Sequence, residues 1–165
     1  MQSIHILDIK PFMQLLFQTD LMNQYLLVSA SITTDLSYTI DGHIQSAFFN
    51  EDELDALGIQ ELNYMPWSIA KEKIFHLIKG KKTPTQLKLV LKVSEQEERA
   101  IFTDANSSLN SNDIDGLYLN ILFQENQLNV ICGISYHIFT LDKQIEQEFS
   151  DKIITFFKSN NITCA

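Results

Sequence analysis

The chain reads as an α+β protein: an antiparallel sheet of about six strands with helices mainly on one face. Two β-hairpins and the order of the elements between them support this reading. In the segment from Leu117 to Phe139, Leu117, Leu119, Ile121 and Phe123 alternate with Tyr118, Asn120, Leu122 and Gln124, the period-two spacing of a half-buried strand. A two-residue turn at Glu125-Asn126 sets Phe123 opposite Leu128, Ile121 opposite Val130, Leu119 opposite Cys132 and Leu117 opposite Ile134, so every apolar pair shares a face. The segment from Tyr25 to Asp41 behaves likewise. With Thr33, Thr34 and Asp35 as its loop, Ile32 faces Leu36, Ala30 faces Tyr38 and Val28 faces Ile40, leaving Ser29, Ser31, Ser37, Thr39 and Asp41 on the other side.

Along the chain, Ile4 to Leu7 forms a first strand, and Pro11 can stand in the first turn of the helix that follows, which has Phe12, Leu15 and Leu16 spaced for burial. The first hairpin comes next, with His43 to Phe49 as an extension or a short extra strand. Glu51 to Leu57 suits a short acidic helix closed by Gly58. Pro66 opens a helix with the stripe Trp67, Ala70, Ile74, Leu77 and Ile78, and Gly80 is placed to end it. Leu87, Leu89, Leu91 and Val93 then alternate with Lys88, Val90 and Lys92 as a strand with one wet face. Ser94 and Glu97 have the spacing of a capping box for a helix reaching about Thr103. Asn106 to Asp115, rich in Asn and Ser, is the least ordered-looking stretch and leads through Gly116 into the second hairpin. Asp142 is the expected cap of a last helix with the stripe Ile145, Phe149, Ile153 and Phe156, widened by Ile154 and Phe157. Residues 159–165 are expected to fray. Strand, helix, two strands and helix thus occur twice, with possible structural halves 1–80 and 81–165 inside a single domain spanning 1–165.

At 165 residues, one domain buries roughly 70% of its unfolded surface, enough for a core without disulfides. Cys132 falls on an oily strand face and Cys164 stands next to last, so neither reads as half of a framework or a metal pair. No basic leader precedes the apolar N-terminal residues, which Asp8, Lys10 and Pro11 interrupt, and the expectation is a cytoplasmic protein with no membrane partner. A net charge of −9 argues against general attraction to nucleic acid or anionic lipid. The charge is nevertheless polarised. Lysines 71, 73, 79, 81, 82, 88 and 92 face the single acid Glu72 in their segment, whereas Asp41 to Glu61 holds six acids and no base. A solvated helix face and loop is the plainer reading of these lysines, with an anion or partner site at Lys79, Lys81 and Lys82 beside it.

The search for chemistry mostly excludes. No pair of histidines has ligand spacing, so no metal and no cofactor is expected. His137 shares a strand face with Ser135, and Asn120 lies on the same polar side, which admits a hydrolase or transferase reading. Against it, neighbours two apart on a strand are roughly 7 Å apart at Cα and no acid is evident to orient the imidazole. Gly80-Lys81-Lys82-Thr83 lacks the earlier glycine of a phosphate loop, where Phe75 stands instead, and it leaves a helix rather than entering one. Tyr118, Tyr136 and Trp67 could stack on a base, but core packing or sheet cover is the commoner use of such rings. What remains is a surface of Ser29, Ser31, Ser37, Thr39, Tyr118, Asn120, Asn129, Ser135 and His137, punctuated by Leu122 and Ile131. Such a face can hydrogen-bond a partner without desolvating charge, and an ordinary wet sheet face is the plain alternative.

The strings YLLVSASITT, YTIDGHI, LIKGKKTP, GLYLNI and IFTLDK resemble a family of small bacterial proteins known as a domain of unknown function, over nearly the whole chain. That resemblance implies a single domain in a bacterial cytoplasm and carries over no activity or catalytic residue. Element order also resembles the repeated units of sliding clamps and, less closely, of the TATA-binding protein, an analogy of fold alone. The leading expectation is a non-enzymatic module binding a protein or small polar ligand on the polar face or the lysine-rich helix end, with oligomers possible. A clamp-like protein associated with nucleic acid is the second reading and a His137/Ser135 enzyme the third.

Overall fold

A computed structural model describes residues 2–165. Seven strands form one sheet, β1 (Gln2–Ile6), β2 (Leu26–Thr33), β3 (Ser37–Asp41), β4 (Met65–Pro66), β5 (Gln86–Lys92), β6 (Ile114–Gln124) and β7 (Gln127–Tyr136), in the order β1-β7-β6-β5-β2-β3. The two-residue β4 also pairs with β2, and every pairing is antiparallel. The helices are α1 (Ile9–Gln18), α2 (Glu51–Leu57), α3 (Trp67–Ile78), α4 (Glu95–Asp104) and α5 (Gln144–Ser159).

The second hairpin has the predicted register. Glu125 (φ 51°) and Asn126 (φ 59°) both adopt the left-handed conformation of a two-residue turn whose twist matches that of the strands. Phe123↔Leu128, Ile121↔Val130, Leu119↔Cys132 and Leu117↔Ile134 then follow. The first hairpin differs. Thr33 pairs with Ser37, Ile32 with Tyr38 and Ala30 with Ile40, so the loop is residues 34–36 and the register is displaced by two. Because the side-chain period is also two, most residues keep the face expected of them, whereas Leu36 falls in the loop and is exposed, and at the bulge in β2 Leu27 instead of Val28 takes the buried place. A bulge between Leu27 and Ser29 bends β2, and Gly42 is pressed against it: its N–H donates to Val28 O at 2.8 Å, and a Cβ there would meet Leu27 O at 1.8 Å.

One core lies between the oily sheet face and α1, α3, α4 and α5, combining Ile4, Ile6, Ala30, Ile32, Leu89, Leu119, Ile121 and Val130 with Phe12, Leu16, Trp67, Ile74, Ile101, Phe149 and Phe157. Full burial of each such aliphatic or aromatic side chain stabilises by about 1.5–3 kcal/mol. The end of α1 is closed from outside. Thr19 Oγ1 donates to Leu15 O at 2.7 Å, Trp67 Nε1 to Leu16 O at 2.9 Å and Lys71 Nζ to Thr19 O at 2.8 Å, satisfying carbonyls that the helix itself leaves unpaired. Helix α3 stops at Ile78, short of Gly80, and Leu77 and Ile78 are only half-buried. In α5, Phe157 takes the fully buried place and Phe156 is half-buried. Ser94 accepts the Glu97 N–H, and the reciprocal half of the capping box is absent.

Other expectations need correction. Residues 43–64 form an excursion instead of extending β3: His43 bridges to Tyr64, a short turn spans 46–48, and Ile59 is buried within the excursion rather than in the main core. The tail does not fray, because Ile162 is buried and residues 163–165 pair with β1. The Asn/Ser stretch is tied down by Asp142, whose Oδ2 accepts from Ser107 Oγ (2.7 Å), Ser108 N–H (3.1 Å) and Ser108 Oγ (3.0 Å) while Oδ1 accepts the Gln144 N–H (2.9 Å) from one residue before Lys143, which takes the cap position of α5 in place of the expected Asp142. Those bonds hold its carboxyl down at about 2. The two sequence halves do not occupy equivalent places: β1 sits beside β7 toward one side of the sheet, while β5 is central between β2 and β6.

Candidate functional site

The face of the sheet turned away from the core is built in rows by the strand registers. One row runs Thr39, Ser31, Lys88, Leu122, Asn129, His5, and the next Asp41, Ser29, Val90, Asn120, Ile131, Ser3. Lys92, Tyr118 and Gly133 continue it, and Ser135, opposite Gly116, shares the face. Ser29, Ser31, Tyr118 and Asn120 are half-buried, whereas Thr39, Ser135 and His137 are exposed. The predicted polar strand residues Ser29, Ser31, Thr39, Tyr118, Asn120, Asn129 and Ser135 therefore share one face, while His137 lies beyond the end of β7 and has no place in the register, and His5 Nδ1 lies 3.1 Å from Asn129 Oδ1.

The structure does not unite the proposed catalytic group. Ser135 pairs with Gly116, four residues along β6 from Asn120, a separation of about 13 Å at strand rise. His137 follows the end of β7, where its backbone N–H donates to Asp113 O at 2.8 Å. No hydrogen bond joins the Ser135 and His137 side chains. The lysine-rich segment is divided as well. Lys71 is committed to the end of α1, bonding Thr19 O and Asn23 Oδ1 (2.7 Å), while Lys79, Lys81 and Lys82 are exposed in the turn before β5. Lys88 and Lys92 project onto the polar sheet face.

At one end of that face is a cleft of about 500 Å³, which sequence reasoning missed. It lies where β2 begins, β5 ends and β6 begins, lined by Asn23, Leu26, Glu61, Asn63, Tyr64, Pro66, Lys92, Glu95, Glu98 and Asp115 among others. Both sheet bulges, at Leu27/Ser29 and at Ile114/Gly116, fall at this end, and bulges commonly re-aim side chains beside sites. Tyr118 Oη donates to Asp115 Oδ2 at 2.8 Å. Burial raises the Tyr118 phenol, and Asp115 raises it further. Lys92 Nζ sits 5.8 Å from the Tyr118 ring centre. Gly116 makes room for this arrangement, since a Cβ there would meet Lys92 Cε at 2.7 Å. Burial also raises the Glu98 carboxyl, opposed by Lys92 and reinforced by Glu95 and Asp115. Tyr64 is held by the His43 ring, 4.5 Å between centres, and His43 Nδ1 lies 2.7 Å from Asp41 Oδ1. The cleft can thus offer a tyrosine hydroxyl, amides, carboxylates and one ammonium against an apolar lining from Leu26, Pro66 and Val93.

Among the described residues no three His, Cys, Asp or Glu side chains are grouped to hold a metal ion, and no helix is long and apolar enough to cross a membrane. The geometry defines an α+β protein whose single antiparallel sheet has one helix-covered face and one open polar face with a cleft at its end. The chain belongs to the DUF5721 family, a family of unknown function whose model matches residues 14–164. No curated protein matches the chain, and neither does any solved structure.

Proposed function

We propose that the protein is a non-enzymatic binding module of the bacterial cytoplasm that docks a protein or small polar ligand on its open sheet face, using the adjoining cleft as the specific end of that surface. One observation carries this reading: hydroxyl and amide side chains of β2, β3, β6 and β7 converge on the face opposite the helices and run into a cleft whose Lys92 and Asp115 are already arranged by contact with the neighbouring Tyr118. Away from the cleft the rows offer mainly uncharged groups, with Lys88 and Asp41 as the exceptions, and the half-buried groups are held by the sheet. A clamp-like role on nucleic acid fits less well. Of the seven lysines in the basic segment, Lys71 is spent on α1 and Lys92 sits among the carboxylates of the cleft.

A photo-crosslinking residue at Asn120 or Ser31 should yield one discrete adduct in the producing cell, abolished by Lys92→Ala with Tyr118→Phe. The same group at Gln147 on α5 should yield none. Equal labelling at the three positions, or no adduct at the sheet positions, would overturn the reading. A discrete adduct to nucleic acid, weakening steeply with salt, would replace it with the clamp-like one.

A further inference from the structure

The two edges of the sheet are finished differently. Beyond β1, His5 N–H donates to Ala165 O (2.9 Å), Ala165 N–H to His5 O (2.8 Å) and Leu7 N–H to Thr163 O (2.9 Å), while the Asp8 carboxylate accepts the Thr163 N–H at 2.7 Å. That edge is closed. At the other edge, β3 pairs only with β2. Gly42 N–H points to Val28 O, and ladder pairs alternate, so Tyr38 and Ile40 turn their main-chain groups toward β2. Ser37, Thr39 and Asp41 therefore turn theirs outward, and all three residues are exposed. The strand contains no lysine, no proline and no bulge, the devices that usually blunt an edge.

We propose that β3 pairs antiparallel with β3 of a second copy about a two-fold axis at Thr39, joining the two sheets into one. In this register Thr39 faces Thr39, Ser37 faces Asp41 and Tyr38 faces Ile40, forming about six main-chain hydrogen bonds with no like charges opposed. Tyr38 and Ile40 are half-buried on the helix side, and each gains an apolar neighbour.

The charge layout selects a second copy as the occupant. The acidic excursion leaves the Asp41 end of β3 and carries Glu51, Asp52, Glu53, Asp55 and Glu61. The turn bearing Lys79, Lys81 and Lys82 reaches the other end, where Thr85 N–H donates to Thr33 O and Thr33 pairs with Ser37. Antiparallel pairing brings the acidic end of each copy to the basic end of the other, whereas parallel pairing would set like with like. This isologous contact gives a role to a charge separation that the open sheet face leaves unused, and it extends the polar face across both copies.

Sedimentation equilibrium of the full chain tests it. The wild type should be a reversible dimer. Thr39→Pro, which removes an outward N–H from each copy and none of the β2 ladder, should weaken association at least about tenfold with unchanged far-UV circular dichroism. Lys81→Glu with Lys82→Glu should also weaken it, and adding Asp52→Lys with Asp55→Lys should restore it. The charge series decides the matter if the proline variant fails to fold. A wild type that stays monomeric at several hundred micromolar, or a dimer indifferent to a folded Thr39→Pro or to charge reversal, would overturn the proposal.

Discussion

Replacing Trp67 by Phe tests the idea that α3 closes the end of α1. The indole is fully buried, and its N–H donates to Leu16 O at 2.9 Å across 51 residues of chain. Phenylalanine keeps most of the packing and removes the donor, leaving a buried carbonyl short of its partner at about 1–3 kcal/mol. The smaller ring vacates roughly 40 Å³, which at about 24 cal/mol per Å³ adds about 1 kcal/mol. The sum is about 2–4 kcal/mol, or a fall in melting temperature of roughly 5–15 °C for a domain of this size. Trp67 is the only tryptophan, so its emission is lost with the substitution and urea unfolding should be followed by circular dichroism in both proteins. A loss below about 0.5 kcal/mol, the level of an ordinary surface change, would refute the capping argument.

Two further measurements probe other parts of the structure. Asp142→Asn should lower thermal stability at neutral pH. Because the folded carboxyl is held at about 2, below its ordinary 3.8, its contribution is present above about pH 4 and lost as pH falls through 2; a gap between variant and wild type that stays constant down to pH 2 would contradict the anchoring role. The Cys132 thiol is buried beneath the sheet and raised by that burial to about 11, so at pH 8 the native protein should show one prompt thiol, Cys164, and two after denaturation. Prompt labelling of Cys132 in the folded chain would mean that the sheet opens far more readily than its packing implies.

The surface proposed for binding was partly legible from residue order. Side-chain parity alone assigned Ser29, Ser31, Thr39, Tyr118, Asn120 and Ser135 to one face, because that face is the complement of an oily one. Lys79, Lys81 and Lys82 were legible as an exposed run, whereas nothing local marked Lys71 as a ligand for the end of a helix 52 residues earlier. The cleft was not legible at all. Tyr64, Lys92 with Glu98, and Asp115 come from three separate stretches, and only the folded sheet assembles them.

By itself, the order of residues determined the alternation of both hairpins, the β6–β7 register through its Glu125-Asn126 turn, and the helix stripes, since these depend on neighbours a few positions apart. It determined the faces from Ser29 to Ile32 and from Ser37 to Asp41 but not the register, because a displacement of two preserves side-chain parity and a three-residue loop can close the hairpin in either place. Tertiary structure decided the rest: β1 against β7, the last residues against β1, α3 closing α1, and the cleft at the two bulges. Each of these joins groups distant in the chain, where the free energy comes from burial and pairing available only after the sheet has formed.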